Sequence, residues 1–427
     1  MKLTKIAVLF AAVGLSASAF ATDGYFSHGY GMKAKGMGGA ATAMAIDSFG
    51  GANNPASMVF AGDRLDIGVD WFSPKRGASR TGSAANFAED SGSNNFLIPE
   101  FGYNKMLGRD MAVGVTVYGN GGMNTSYEKG NVTTGGACNG SNPLCGTGKL
   151  GVNLEQLIVA PTFAYKINAS NSIGIAPLFV YQRFSENGLQ AFAGLSSDTT
   201  KLFNNGHDSA TGWGVRLGWQ GKVSDAVTLG AAYAPEIDMS KFKRYAGLLA
   251  EQGDFDIPAN WNLGVAFKAT PALTVALDYQ RIQYSKVKSI ANSAVSSFPA
   301  AQTAGSPYQL GNSEGLGFAW SDVDVVKLGV EYKYNDKLTL RAGFNKSDNP
   351  VKSGEQTFNI LAPGVVTDHY TIGMTYGVSK DSELTLAYMH AKDNSVSGAT
   401  NPYFGAGGTE TIKMYQDSLG IAYGMKF

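Results

Sequence analysis

Along fourteen separate segments of this chain, large apolar side chains alternate with small or polar ones. In Arg64–Pro74, Leu65, Ile67, Val69 and Trp71 alternate with Asp66, Gly68, Asp70 and Phe72. In Thr211–Gly221, Trp213, Val215, Leu217 and Trp219 alternate with Gly212, Gly214, Arg216 and Gly218. Asn260–Lys268 and Leu338–Asn345 read the same way. A period of two is the repeat of a β-strand with one apolar face. The segments are roughly 64–74, 95–106, 110–119, 153–167, 171–184, 211–223, 226–239, 259–270, 272–285, 323–335, 337–346, 367–379, 382–393 and 413–427. Most are long enough to cross a bilayer at a tilt, which takes about 9–11 residues.

The connections between them are sorted. Six are short, at 107–109, 168–170, 224–225, 271, 336 and 380–381, and seven long ones alternate with them throughout. A barrel in an outer membrane predicts that order, with short periplasmic turns and long outer loops. A soluble sandwich has no reason to sort its connections and would need a charged outer face. Only 16% of these residues are charged.

The first residues point to export. Lys2 and Lys5 precede an apolar stretch from Ile6 to Leu15, and Ala19-Phe20-Ala21 forms an A-x-A cleavage site. That is a secretory signal over 1–21, its apolar part too short to span roughly 30 Å of hydrocarbon. No later segment has about 18 consecutive apolar residues, so helical spans are not expected. The only other way across a bilayer is a closed sheet. We therefore expect an all-β fold, a 14-stranded antiparallel transmembrane β-barrel over 64–427, in a bacterial outer membrane.

Residues 22–63 lack the alternation. They carry Gly29, Gly31, Gly36, Gly38, Gly39, Gly50 and Gly51, small side chains over Ala40–Ala45, and then Asn53-Asn54-Pro55-Ala56. Such a segment cannot build its own core. It either trails in the periplasm or folds inside the barrel as a hatch (plug), where glycines let backbone approach the wall.

Several chemistries are not expected. Lys plus Arg and Asp plus Glu are both 34, so the basic surplus that nucleic acid requires is missing. Four scattered histidines and two cysteines make no convincing metal site, and no cofactor motif is present. Gly311-Asn312-Ser313-Glu314-Gly315 fits a nucleophile elbow, but it lies in an outer loop without the strand-to-helix turn that motif needs. No P-loop exists, so transport has to run down a gradient, and an enzyme is not expected. Cys138 and Cys145 share one loop, and in an oxidising compartment a loop-pinning disulfide is expected. Ser240–Glu251 reads as a short helix capped by Ser240, with Phe242, Tyr245, Leu248 and Leu249 on one face. That face either packs on the barrel rim or forms one side of a hydrophobic ligand entry groove. Gly119-Asn120-Gly121-Gly122 ends the third strand, where glycines favour a bulge or simply begin a loop.

Gly29-Tyr30-Gly31, Gly36-Met37-Gly38-Gly39-Ala40-Ala41, Asn54-Pro55-Ala56 before strand one, and Lys241-Phe242 to Gly253-Asp254-Phe255-Asp256-Ile257-Pro258 before strand eight carry a resemblance. Together they resemble the FadL long-chain fatty acid transporter family, which includes the aromatic-hydrocarbon porins and P1-type outer-membrane proteins. The resemblance implies an N-terminal hatch over 22–63 and passive import of hydrophobic molecules. It implies capture at the outer-loop groove, binding in the barrel, and lateral release where Gly119, Gly121 and Gly122 kink the wall. It places Asn54, Pro55 and Ala56 near that opening and makes Arg183 the candidate for a fatty acid carboxylate. One departure stands out: from Ser289 to Val326 there is no Lys or Arg, where fatty-acid members supply a second basic group. The last strand, with Leu419, Ile421, Tyr423, Met425 and Phe427 on one face, resembles the C-terminal signature read by the barrel assembly machinery. Long-chain fatty acids are the first substrate reading, leaving lipid as the neighbour on release. The alternatives are aromatic hydrocarbons on the same fold, a general porin for polar solutes, and an outer-membrane lipase.

Overall fold

The structure, a computed structural model, describes residues 22–128, 132, 138–404 and 407–427. The signal assigned to 1–21 lies outside the described residues. Fifteen strands form one antiparallel sheet: β1 (Arg64–Thr81), β2 (Phe87–Asp90), β3 (Phe96–Met106), β4 (Met111–Asn124), β5 (Gly151–Lys166), β6 (Asn171–Asn187), β7 (Asp208–Lys222), β8 (Val227–Ala234), β9 (Asn260–Lys268), β10 (Leu273–Ile282), β11 (Val323–Lys333), β12 (Leu338–Ser347), β13 (Asp368–Gly377), β14 (Ser382–Ala399) and β15 (Thr409–Lys426). Each pairs with its neighbours in sequence, except that β3 passes β2 to pair with β1. β15 closes the ring on β1, from Arg64 opposite Lys426 to Thr81 opposite Thr409. The short β2 pairs only with Gly77–Arg80 and stands outside the wall, leaving the fourteen wall strands that the alternation predicts.

The apolar face points outward. Ile67, Trp71, Phe179, Trp213, Leu263, Ile372 and Leu419 are each more than a third exposed. In a membrane that surface meets lipid, and no aqueous solvation penalty applies. Tyrosines mark both ends of the band, Tyr332 and Tyr376 towards the turns and Tyr370 and Tyr388 towards the loops. The inward face is charged and polar, and many of its charges are paired, as burial of ions favours. Arg341 Nη2 lies 2.7 Å from Glu331 Oε2. Beyond the band, β1, β14 and β15 run further than the alternation indicates and shorten the last loop to 400–408.

Arg80 and Glu410 join two of these extensions. Both are fully buried, with Arg80 Nη2 2.5 Å and Nε 2.7 Å from Glu410 Oε1. Arg80→Leu leaves that carboxylate without its counter-ion and is expected to destabilise this end of the barrel by about 3–5 kcal/mol. Thermal unfolding followed by circular dichroism would show it, and Glu410→Leu added to the same protein should recover most of the loss. A double variant as unstable as the single one would refute the pairing.

Two boundaries differ from the sequence reading. β8 stops at Ala234, before Pro235, not at 239. Glu236, beyond that end, is exposed beside Asp238 and the half-buried Asp256. Ser240–Glu251 is not one helix. It holds a 3-10 turn at Lys243–Tyr245 and a four-residue turn at Ala250–Gly253, in which Glu251 and Gln252 have φ of 54° and 66°. Ser240 caps nothing there; its hydroxyl accepts the Thr211 N–H at 2.9 Å.

Candidate functional site

Residues 22–62 are almost entirely buried, and their polar groups end on inward-pointing wall side chains. Lys35 Nζ lies 2.8 Å from Asp70 Oδ2 on β1, and Lys33 Nζ lies 2.6 Å from Glu383 Oε1 on β14. Gly38 N–H donates to Thr371 Oγ1 on β13 at 2.8 Å. The N–H groups of Ala41 and Thr42 donate to Asp278 Oδ2 on β10, at 2.9 and 2.8 Å. Asn54 Nδ2 donates to Trp219 O on β7 at 2.9 Å and to Thr42 O at 2.7 Å, while its Oδ1 accepts Ala56 N–H at 3.1 Å. Asn54 thus caps a 3-10 turn at Pro55–Ser57 seated on the inner wall. The small face of the strands explains how the backbone fits. A Cβ at Gly218 would lie 2.1 Å from Asn54 Oδ1, and one at Gly343 would lie 2.1 Å from Gly38 N.

The wall itself is interrupted between β3 and β4. Their ladder runs from Met106–Ala112 to Phe101–Val117 and ends there, although β4 continues to Asn124. On the β5 side the register shifts between Gly119 and Gly121, so Asn120 is an inserted residue. Two causes are visible. The insertion is a bulge, which bends its strand. Extending the ladder would place Pro99, with no N–H to donate, opposite Gly119. Gly119, Gly121 and Gly122 therefore do form a distortion, and its free edge is taken up by the N-terminal segment. Ser27 N–H donates to Asn120 O at 3.2 Å, and Gly122 N–H donates to Tyr25 O at 3.3 Å. A Cβ at Gly121 would meet Tyr25 O at 2.0 Å, so no other residue fits this approach. Towards the loops the gap ends where Gly92 N–H donates to Ser126 O at 2.8 Å.

Behind the gap lies an aromatic interior. The Tyr25 ring packs within 5.2–6.3 Å of Phe26, Phe255, Tyr284 and Trp320. Tyr284 Oη donates to Asp23 O at 2.7 Å and accepts Tyr25 N–H at 3.0 Å. No sequence motif announced this cluster, because its members come from four separate stretches of chain.

The remaining candidates fall as follows. Phe242, Tyr245, Leu248 and Leu249 are all buried, with Phe242 and Tyr245 against Phe184 of β6 at 5.5 and 4.9 Å. Arg183 belongs to the outward set of β6, in register with Glu155 and Ser209. Its neighbours Gln182 and Phe184 are the ones that turn inward and are buried. The period of two thus separates Arg183 from the lumen, a correction to the carboxylate-binding role that the family resemblance implied. Cys138 and Cys145 are joined in a disulfide, with Cα atoms 4.8 Å apart. Of the inward charges, Lys327 Nζ donates to His28 O at 3.0 Å, and Arg216 Nη2 donates to Asn260 Oδ1 at 3.0 Å.

Residues 8–427 match the family described as outer membrane protein transport protein (OMPP1/FadL/TodX). The chain belongs to this family. Membership makes it an outer-membrane transport protein. A long-chain fatty acid transport protein of Salmonella typhi is 23% identical over 371 residues, 79% of this chain and 78% of the relative. Among solved structures, the Pseudomonas putida toluene transporter TodX superposes with a TM-score of 0.69 at 20% identity, covering 94% of this chain and 99% of TodX. A FadL homologue of Pseudomonas aeruginosa gives 0.67 at 15% identity, covering 94% and 99%. These structures share the barrel fold of the OMPP1/FadL/TodX family with this chain.

Proposed function

We propose that this protein carries hydrophobic molecules passively across the outer membrane, with long-chain fatty acids as its substrate, and releases them sideways through the gap between β3 and β4. The gap is the observation that carries this reading, since a barrel moving polar solutes has no use for an opening towards lipid. Burying each CH₂ is worth about 0.8 kcal/mol, so an apolar interior favours a 16-carbon chain over water by roughly 10 kcal/mol. Release into lipid costs such a molecule little, whereas release into water forfeits the whole gain. Residues 22–63 act as the hatch: Tyr25–Ser27 seal the edge of β4, and their withdrawal opens the route. Phe242, Tyr245, Leu248 and Leu249 then form part of the outer-loop groove that first takes up the ligand, once the loop parts from Phe184.

The ring cluster around Tyr25 supports a second reading, uptake of aromatic hydrocarbons, because flat uncharged rings pack well against Phe255, Tyr284 and Trp320. Uptake of labelled oleate and labelled toluene, in cells with and without this protein, tests both. Oleate uptake should depend on the protein; dependence of toluene alone selects the second reading. Swelling of protein-bearing liposomes in small sugars, with neither label taken up, would overturn both.

A further inference from the structure

We infer that acid loosens the N-terminal seal: His28 on that segment and His369 on β13 form a buried pair whose protonation drives residues 23–28 off the wall. This rests on the transport reading above, in which Tyr25–Ser27 close the gap. Lys327, Asn345 and His369 stand side by side on β11, β12 and β13, in direct register and all buried on the inward face. Asp23 and His28, which bracket Tyr25–Ser27, dock on this row. Asp23 Oδ2 accepts Asn345 Nδ2 at 3.3 Å and lies 3.9 Å from Lys327 Nζ, which donates to His28 O at 3.0 Å. The His28 and His369 rings are parallel within 13°, with their centroids 6.2 Å apart. They are 2% and 0% exposed, so neither is hydrated while the segment is seated.

A proton on either ring has no anion to meet it. His28 Nε2 and both ring nitrogens of His369 have no hydrogen-bond partner, and neither ring has a carboxylate within 4.0 Å among the described residues. His390, on the outer face, does: its Nδ1 lies 2.9 Å from Asp417 Oδ1. Around His28 stand His369, the side chain and backbone of Lys35, and Lys327. Around His369 stand Lys327, the Asn345 backbone and, across the wall, Asp368 and His390. The nearby acids are engaged: Asp368 pairs with Lys346 at 3.1 Å, Asp70 and Glu100 with Lys35, and Asp23 with Lys327 and Asn345. Burial, followed by His369, Lys35 and Lys327, holds the His28 imidazole well below its ordinary range. Leaving the wall returns His28 to water and uncovers His369, and a hydrated imidazole takes its proton near pH 6.5. Below about that pH each ring therefore favours release by up to roughly tenfold per pH unit. Asp23 works the other way, because burial raises its carboxyl to about 6 and the docked form holds that proton more readily. Two imidazoles against one carboxyl leave release favoured in acid.

Hydrogen–deuterium exchange of the detergent-solubilised protein, corrected for intrinsic exchange rates, tests this. Protection over residues 23–28 should fall about tenfold or more between about pH 7.5 and about pH 5. Protection of the turn at Pro55–Ser57, which touches neither ring, should hold; an equal fall there reports general unfolding and overturns the assignment. His28→Gln combined with His369→Gln should abolish the fall and, with Asp23 then acting alone, make protection rise in acid. Either single variant should remove about half of the response on a logarithmic scale, which keeps the test open should the double variant not fold. Equal wild-type protection at both pH values, or a double variant that keeps the wild-type response, overturns the role of the pair. Neither result touches oleate uptake at neutral pH, on which the transport reading stands or falls separately.

Discussion

Deletion of Asn120 is expected to lower uptake of a labelled hydrophobic compound about tenfold or more, which corresponds to raising its barrier by ~1.4 kcal/mol. Asn120 is the residue that β5 leaves unmatched between Gly119–Leu157 and Gly121–Gln156. Without it the register is regular, the outer half of β4 straightens, and its edge is free to run beside Phe96–Glu100 of β3. The wall then closes where the ligand should leave. Asn120 also has a side chain in the network, accepting Tyr30 Oη at 3.0 Å and donating to Gln156 Oε1 at 2.8 Å. Asn120→Ala separates the two roles, since it removes those bonds and keeps the insertion. Uptake by the alanine variant should stay close to that of the wild type. If deletion leaves uptake intact in a folded barrel, lateral release is wrong; if alanine is as damaging as deletion, the network and not the bulge is what matters.

Gly218→Val should unseat the turn at Asn54–Ala56 and make the barrel leak. The new Cβ would stand 2.1 Å from Asn54 Oδ1 and 2.9 Å from Pro55 Cδ, and neither can retreat. Asn54 is tied to Trp219 O and Thr42 O, and Pro55 is rigid. Overpacking of this kind costs typically about 1–3 kcal/mol, comparable to the hydrogen bonds that hold the turn. The strand itself gains a residue suited to β-structure, so the barrel should still close. Liposome swelling with a small sugar should rise several-fold, whereas Gly194→Ala, at a glycine with open space around it, should change nothing. A folded Gly218→Val protein no more permeable than the wild type would show that this segment does not obstruct the lumen.

Both outcomes bear on how far the chain could be read in one dimension. The wall strands were legible because a period of two is local: Ile67 and Trp71, or Trp213 and Leu217, declare their common face without reference to any other strand. The glycine run at 119–122 likewise marked a distortion. Its partner residues did not announce themselves. Tyr25–Ser27 meet β4 only because the ring brings them there. The loop at 240–251 misled for the opposite reason. Its apolar spacing satisfied a helix, but Glu251 and Gln252 are held in left-handed backbone by the contacts of Gln252 with Gly311 O.

Arg183 shows the limit of resemblance within a single residue. Resemblance drew attention to it, yet one residue of parity turns it to the outside. Side-chain alternation, apolar content and the rhythm of short and long connections are properties of neighbours in sequence, and they were enough to specify a membrane barrel. Which glycines yield to the N-terminal segment and where the wall parts depend on contacts between residues far apart in the chain. Those contacts exist only once the sheet has closed.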